Sequence, residues 1–481
     1  MAVLFKKLSP DRALIWSFLG AFMLLPTGAY FDLPLVPTLD KYTLPSVAAL
    51  VLSLTMVKQK IRFFPESKLA SVLMVGYVFS PFFSVMSNPE PVFWGVRVLP
   101  GLTIYDAISE VMKHGIALIP FILSFNLLAT RKARHTFLTV YMLAGLFYSI
   151  PMLAEIRLSP QINYWVYGMF PELFGQQIRF GGFRPVVFMG HGLVTAFFML
   201  MAVMSTATLW RGSNPDEPFP YPAAFAWLAL ILILCKTVGV VLFAVMFVPI
   251  ILFAGTRIKG WAIMVCATFL ISYPVLRSMD AVPVDEMVDY AALIQAERAQ
   301  SLEFRFDNEK ILLDHAARKP VFGWGYWGRN RLYDLETGQS TVTTDGHWII
   351  VIGMLGWTGY ICVFGLLTLP LFKLWFLRKR WPADREVHII YGIALMLGVN
   401  LIDLIPNSTI NHLTWTLAGL LLASSTVAAR AEFQTAADPS ENDVKDPPET
   451  PPAAALHQRH VRKPRSAERK APVGRTSRTK R

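Results

Sequence analysis

The chain has 481 residues, of which 54% are hydrophobic and 16% charged, and it carries a net charge of +12; soluble domains are about a quarter charged. With a mean hydropathy of +0.44, this excludes an ordinary soluble enzyme. There is no G-x-x-x-x-G-K loop, zinc pattern or cytoplasmic nucleotide domain, so ATP-driven transport and cytosolic sugar-nucleotide chemistry have no support.

Taken in order, the apolar runs predict helices over about 13–30, 42–57, 69–87, 116–130, 136–154, 185–210, 222–236, 238–256, 260–277, 347–372, 386–405 and 409–428. Several are as long as the roughly 20 residues a bilayer crossing requires. The first run has no small-residue cleavage site behind it and reads as a retained helix. Basic clusters at Lys6–Arg12, Lys58–Arg62, Arg131–Arg134, Arg257–Lys259 and Lys373–Arg380 alternate with the runs. Positive residues mark the cytoplasmic side. The expected fold is an all-α polytopic membrane protein of about twelve transmembrane helices with both termini cytoplasmic. Helices seven and eight are divided only by Lys236-Thr237; a tight outward turn keeps every basic loop inside, whereas one long tilted helix would invert the rest.

The transmembrane domain then covers 1–430, with one long periplasmic loop, 278–345, between helices nine and ten. The tail, 431–481, is acidic and then basic, has almost no large apolar residue and is expected to be disordered. Its basic end carries no interleaved aromatic residue, which favours a lipid surface or a bland tail over nucleic acid. Cys235, Cys266 and Cys362 all lie in apolar runs and read as inert core thiols.

Three outer stretches carry chemistry-bearing residues. The second outer loop ends IRFGGFRPVVFMGHG. Arg179 and Arg184 stand where a helix is expected to begin, with Pro185 in its first turn. Guanidiniums beside a helix N-terminus suit phosphate, and equally suit snorkelling to headgroups. Lys236 could add a cation. His191 reads more readily as a packed polar residue than as a catalyst. In the third loop, SLEFRFDNEKILLDHAARKP predicts a helix with Leu302, Phe306, Leu313 and Ala317 on one face. There Arg305 either pairs with Glu309 at i,i+4 or is free for a ligand. Trp324, Tyr326 and Trp327 could stack on sugar rings or anchor the loop at the interface, with Arg329 beside them. Asp345 and His347 open the next helix; each is a candidate general base, and Asp345 also suits an N-cap. Asp403, Asn407 and His412 flank the last outer turn.

RFGGFRP, KTVG, SLEFR…ARKPVFGWG and DGHWIIVIGMLGWTG, in this order, resemble the motifs of the O-antigen ligase and Wzy-type polymerase superfamily from about Arg179 to Gly359. The resemblance implies a metal-independent, cofactor-free glycosyltransferase of the bacterial inner membrane. Its donor would be an undecaprenyl-diphosphate-linked glycan, and its acceptor a glycan or the lipid A core, met at the periplasmic face among membrane lipids. Arg179, Arg184, Arg305 and Lys236 would hold the diphosphate. Asp345 or His347 would activate the acceptor, and Trp324, Tyr326, Trp327 and Arg329 would hold glycan. Counted back from Gly356, the family's His falls at Asp345 and its Asn at Gly346; the sequence reads Asp-Gly-His instead, which tilts the expectation towards a polymerase. A lipid-linked sugar transporter without chemistry, or an envelope scaffold, are the competing readings.

Overall fold

A computed structural model describes residues 1–32, 37–170, 174–213, 219–294, 296–378 and 385–425; the expected tail lies outside them. The described chain is all-α apart from two short hairpins. Its helices are α1 (Ala2–Lys7), α2 (Pro10–Leu24), α3 (Thr43–Met56), α4 (Lys68–Met86), α5 (Ile104–Ala117), α6 (Ile119–Leu127), α7 (Arg131–Leu158), α8 (Ile162–Tyr167) and α9 (Gly192–Gly212). They continue with α10 (Tyr221–Leu234), α11 (Val238–Phe253), α12 (Thr256–Ser278), α13 (Val284–Ile294), α14 (Ala296–Ala316), α15 (His347–Leu377), α16 (Arg385–Asp403) and α17 (His412–Ser424). Strands β1 (Val92–Trp94) and β2 (Arg97–Leu99) pair antiparallel, as do β3 (Ile178–Arg179) and β4 (Gly182–Phe183).

A helix lies on every apolar segment expected from the sequence. Among the described residues seven stretches are long and apolar enough to cross a membrane: α4, α5 with α6, α7, α9, α12, α15 and α16. The protein is a multi-pass membrane protein. α9 and α16 are apolar all round because they are enclosed all round: residues 195–209 of α9 are buried without a break, against α7, α10, α11 and α16. The outer helices instead turn Val72, Phe79, Phe147, Leu242, Val245 and Phe269 outwards. An exposed belt of that size belongs in lipid, not water.

The polar connections divide between two ends. At one end Arg62 N–H donates to Asn126 Oδ1 at 3.0 Å, Lys259 Nζ meets His388 Nδ1 at 3.1 Å, and Glu386 gathers Arg134 Nε at 2.8 Å, His135 Nε2 at 3.0 Å and Arg131 Nε at 3.1 Å. Residues of the Lys58–Arg62, Arg131–Arg134 and Arg257–Lys259 clusters noted in the sequence lie here. At the other end lie both hairpins, the α14 region and the α16–α17 turn.

Two expectations about helix geometry change. The sixth apolar segment does not start its helix at Pro185: residues 185–191 are irregular and α9 begins at Gly192. The tenth is not one rod. Gly356, at φ 64 and ψ −165, bends α15 so sharply that the His347 ring comes within 6.0 Å of the Phe364 ring. On a straight helix those residues would be about 25 Å apart. The bend is wedged by the loop after α14: Trp357 N–H donates to Pro320 O at 2.8 Å, while Trp324 N–H and Gly325 N–H take Gly353 O and Met354 O at 2.8 and 2.9 Å. A Cβ at Gly356 would overlap the Pro320 and Val321 carbonyls, so only glycine fits. The seventh and eighth segments are two helices, α10 and α11, joined at a tight turn where Lys236 takes φ 54.

Glu386 is 1% exposed, and Arg134 beside it fully buried. Removing one member of such a group leaves an uncompensated buried charge, at a cost of about 3–5 kcal/mol. Glu386→Gln should therefore lower the thermal midpoint of the purified, detergent-solubilised protein markedly. Glu66→Gln, which breaks the exposed Arg62–Glu66 pair, should change stability by no more than about 1 kcal/mol. Equal midpoints for the two variants would refute the assignment of Glu386 as the lock between α7 and α16.

Candidate functional site

Two polar groups occupy the end opposite Glu386. The first is built on the β3–β4 hairpin. Ile178 pairs with Phe183 and Arg179 with Gly182, and the two turn residues, Phe180 and Gly181, have φ of 49 and 65. Positive φ at both positions is the tight hairpin turn that matches strand twist. The turn leaves Arg179 exposed and brings Gly182 against the α10–α11 turn, where a Cβ would overlap the Lys236 ammonium. Arg184 follows, 6% exposed, donating from Nη2 to Thr237 Oγ1 at 3.1 Å. Its Nε is buried without a hydrogen-bond partner among the described residues. Burial, and then the nearby Arg179, push the Arg184 pKa down.

His191 ends the irregular segment and caps α9, its Nδ1 accepting from Leu193 N–H at 3.1 Å. Burial, then Arg184 and Arg179, push its pKa down to about 4, so it is neutral at pH 7. Three cations thus stand together with no carboxylate paired to any of them among the described residues. Such an excess of positive charge, with Arg184 buried at its base, is suited to an anion. The sequence grouping of Arg179, Arg184 and Lys236 is brought together in space; the helix N-terminus invoked for it is not at Pro185.

The second group joins α14, the start of α15 and the α16–α17 turn. Arg305 Nε lies 3.4 Å from Asp345 Oδ2, and its Nη1 donates to Pro406 O at 3.3 Å. Arg305 therefore pairs with Asp345, not Glu309. Nor is Asp345 an N-cap: Gly346, which has no side chain to cap with, holds that position, and the carboxylate is turned to the guanidinium. His347 places Nδ1 3.0 Å from Ser408 Oγ, and its backbone N–H reaches Leu404 O and Asn407 O at 2.9 and 3.2 Å. Asp403 braces that turn by accepting from Asn407 Nδ2 and Thr409 Oγ1, both at 2.8 Å. His412 looks away, to Tyr42 O at 2.7 Å. No hydrogen bond or ion pair joins Arg305 to the three cations among the described residues. A chain of contacts does link the groups: Lys41 Nζ donates to Phe188 O at 2.6 Å, and Tyr42 beside it meets His412 at the end of the Ser408 turn.

The aromatic loop is mostly wall. Trp324 stacks on His315 at 4.3 Å and donates to His315 O at 2.9 Å. Tyr326 is 8% exposed. Arg329, 1% exposed, has its guanidinium taken up by the carbonyls of Trp324, Pro100 and Glu90 at 3.2, 2.8 and 2.9 Å. These three fasten the loop to the body instead of offering faces to a glycan. Trp327 alone of the four is exposed, its Nε1 held by Asp106 Oδ1 at 2.9 Å. The expected apolar stripe of α14 also shifts: Phe306, Leu312 and Ala316 are buried, while Ala317 is exposed.

Sequence reasoning passed over Glu155, Lys41 and Ser408, and weighed Glu309 only as a partner for Arg305. Glu155 falls one residue beyond the helix expected over 136–154 and in fact lies inside α7, 1% exposed; an acid within one turn of an apolar helix end was the available signal. No protein-family model matches this chain, and no curated protein matches it significantly.

Glu309 accepts from the Tyr273 hydroxyl at 3.1 Å and lies 3.7 Å from Arg277 Nε. Burial nonetheless pushes its carboxyl from 4.5 up to about 7. Between those values the folded state holds a proton the unfolded chain has released. Its contribution is complete below pH 4.5 and lost as pH rises to 7, about 3 kcal/mol in all. Glu309→Gln should flatten the fall in stability across this window; an unchanged slope in pH-resolved thermal melts would rule Glu309 out as its source.

Proposed function

We propose that this protein transfers a glycan from an undecaprenyl-diphosphate carrier to a sugar hydroxyl, as a polysaccharide polymerase or ligase of the O-antigen ligase type. In this reading the chain crosses the bacterial inner membrane about twelve times, both termini are cytoplasmic, and 278–345 is periplasmic. The observation that carries it is the unpaired cation group of Arg179, Arg184 and Lys236 at the same end of the bundle as the Asp345–His347 segment. The motifs resembling the superfamily supply these same residues.

A diphosphate is already a good leaving group, so the reaction needs its charge stabilised and one proton removed. The acceptor oxygen attacks the anomeric carbon of the donor sugar, the bond from that carbon to the diphosphate oxygen breaks, and undecaprenyl diphosphate leaves against the cations. The acceptor's proton goes to a base. Of the two candidates, His347 is favoured. Asp345 is engaged by Arg305, whereas in the tautomer that donates Nδ1–H to Ser408 Oγ the His347 ring keeps a lone pair on Nε2, which has no partner among the described residues. A ring nitrogen oriented through its other nitrogen is the usual arrangement for a histidine base. Arg305 then orients Asp345 and the Pro406 turn, and Trp327 offers an exposed aromatic face for sugar.

In proteoliposomes supplied with a lipid-linked oligosaccharide, the wild-type protein should release undecaprenyl diphosphate and lengthen or transfer the glycan. His347→Ala should lose about 10²–10⁴-fold in turnover, the worth of a general base, with donor binding unchanged. Asp345→Asn should lose less. Arg184→Lys should weaken donor binding because an ammonium cannot make the two-pronged contact. Transport of the lipid-linked sugar without any bond broken would overturn the enzymatic reading.

A further inference from the structure

Residues 185–191 run from Arg184 to His191 without forming helix, although they are apolar and Val186, Val187 and Met189 are almost wholly buried. Val187 sits at φ 50. For a β-branched residue this left-handed conformation is an outlier, and such conformations persist only where the surroundings impose them. The backbone contacts show what imposes this one. Glu155 Oε2 accepts from the N–H groups of both Val186 and Val187 at 2.7 Å. Its Oε1 accepts from Ile162 N–H at 3.0 Å. Phe188 N–H donates to Tyr148 Oη at 3.2 Å, and Thr195 Oγ1 donates to Val186 O at 3.1 Å. Two consecutive N–H groups aimed at one carboxylate oxygen leave Val187 no helical alternative.

Immediately beyond the clamped residues stand the functional ones. Gly192 N–H donates to Gln177 Oε1 at 3.2 Å, and a Cβ at Gly192 would overlap Arg184, so the segment's shape sets how closely Arg184 approaches the start of α9. Glu155 forms no ion pair with Arg179, Arg184 or Lys236 among the described residues, so its effect on them passes through the backbone. We infer that Glu155 is a positioning residue: its carboxylate holds 186–187 in the shape that presents Arg184 to a diphosphate, without touching the ligand itself. The inference rests on the diphosphate reading of the cation group.

A carboxylate serves three N–H groups with two oxygens; an amide has one. The test uses the full chain in detergent, with hydrogen exchange over 184–192 and calorimetry with inorganic pyrophosphate. Glu155→Gln should speed exchange at 186–188 while leaving α16 unchanged. It should also weaken pyrophosphate binding about tenfold, as for one lost charge-assisted hydrogen bond. Adding Val187→Gly, which adopts positive φ freely, should restore most of the affinity. Unchanged local exchange in Glu155→Gln, exchange raised throughout the chain, or failure of Val187→Gly to rescue would each overturn the positioning role. If the exchange pattern holds but wild-type protein binds no pyrophosphate, the clamp stands and the diphosphate reading falls.

Discussion

In a bilayer the hydrocarbon core offers no hydrogen-bonding partner, so each backbone N–H and C=O must be satisfied by the protein itself. Regular helix does this without help. Every departure from helix within the apolar bundle needs a named set of donors and acceptors, and the architecture is organised around two such departures. One is the segment between Arg184 and His191, held by Glu155, Tyr148, Lys41 and Thr195. The other is the bend at Gly356, where the 320–325 loop supplies the missing partners. Both lie at the end of the bundle that carries the candidate site; the first ends at His191, and the second folds the arm that begins at His347 back towards Phe364.

Charge follows the same rule. At the far end Glu386 is buried with Arg134, and the pair is internally satisfied. At the site end Arg184 is almost as well buried, yet among the described residues its side-chain hydrogen-bond partner is a neutral hydroxyl, Thr237. The contrast separates a structural ion pair from a cation kept available. Lys41 belongs with the second group. It is 3% exposed, burial pushes its pKa down to about 7, and its ammonium donates to a carbonyl of the irregular segment.

Apolar periodicity made the helices legible, because a continuous apolar run longer than a turn or two has no other way to satisfy its backbone in lipid. The boundary at Pro185 was misread for a related reason. Val186 to Met189 are as apolar as any helix residue, and nothing local announces that Glu155, thirty positions earlier, will take their N–H groups. Arg179 and Arg184 could be grouped from sequence, since both close one predicted loop, and Lys236 joined them as the cation of the turn between two predicted helices. The pairing of Arg305 with Asp345 could not: a neighbour at i,i+4 competes with a partner forty residues away, and only the docking of α14 against the α16–α17 turn decides between them. Arg329, chosen for its charge and its aromatic neighbours, turned out to satisfy carbonyls left over where Pro100 and Glu90 leave regular structure.

The bend at Gly356 has a consequence for how the protein reaches its membrane form. Unbent, the 31 residues of α15 would extend about 46 Å, half as long again as the roughly 30 Å hydrocarbon core. A nascent helix of that length must tilt steeply or leave apolar residues in the headgroups. The carbonyls of Pro320 and Val321 stand against the bend, and Trp357 N–H donates to the first of them at 2.8 Å. Docking onto them shortens the helix by its first nine residues and removes the mismatch. The length of α15 left to cross is therefore set by the 320–325 loop that wedges Gly356.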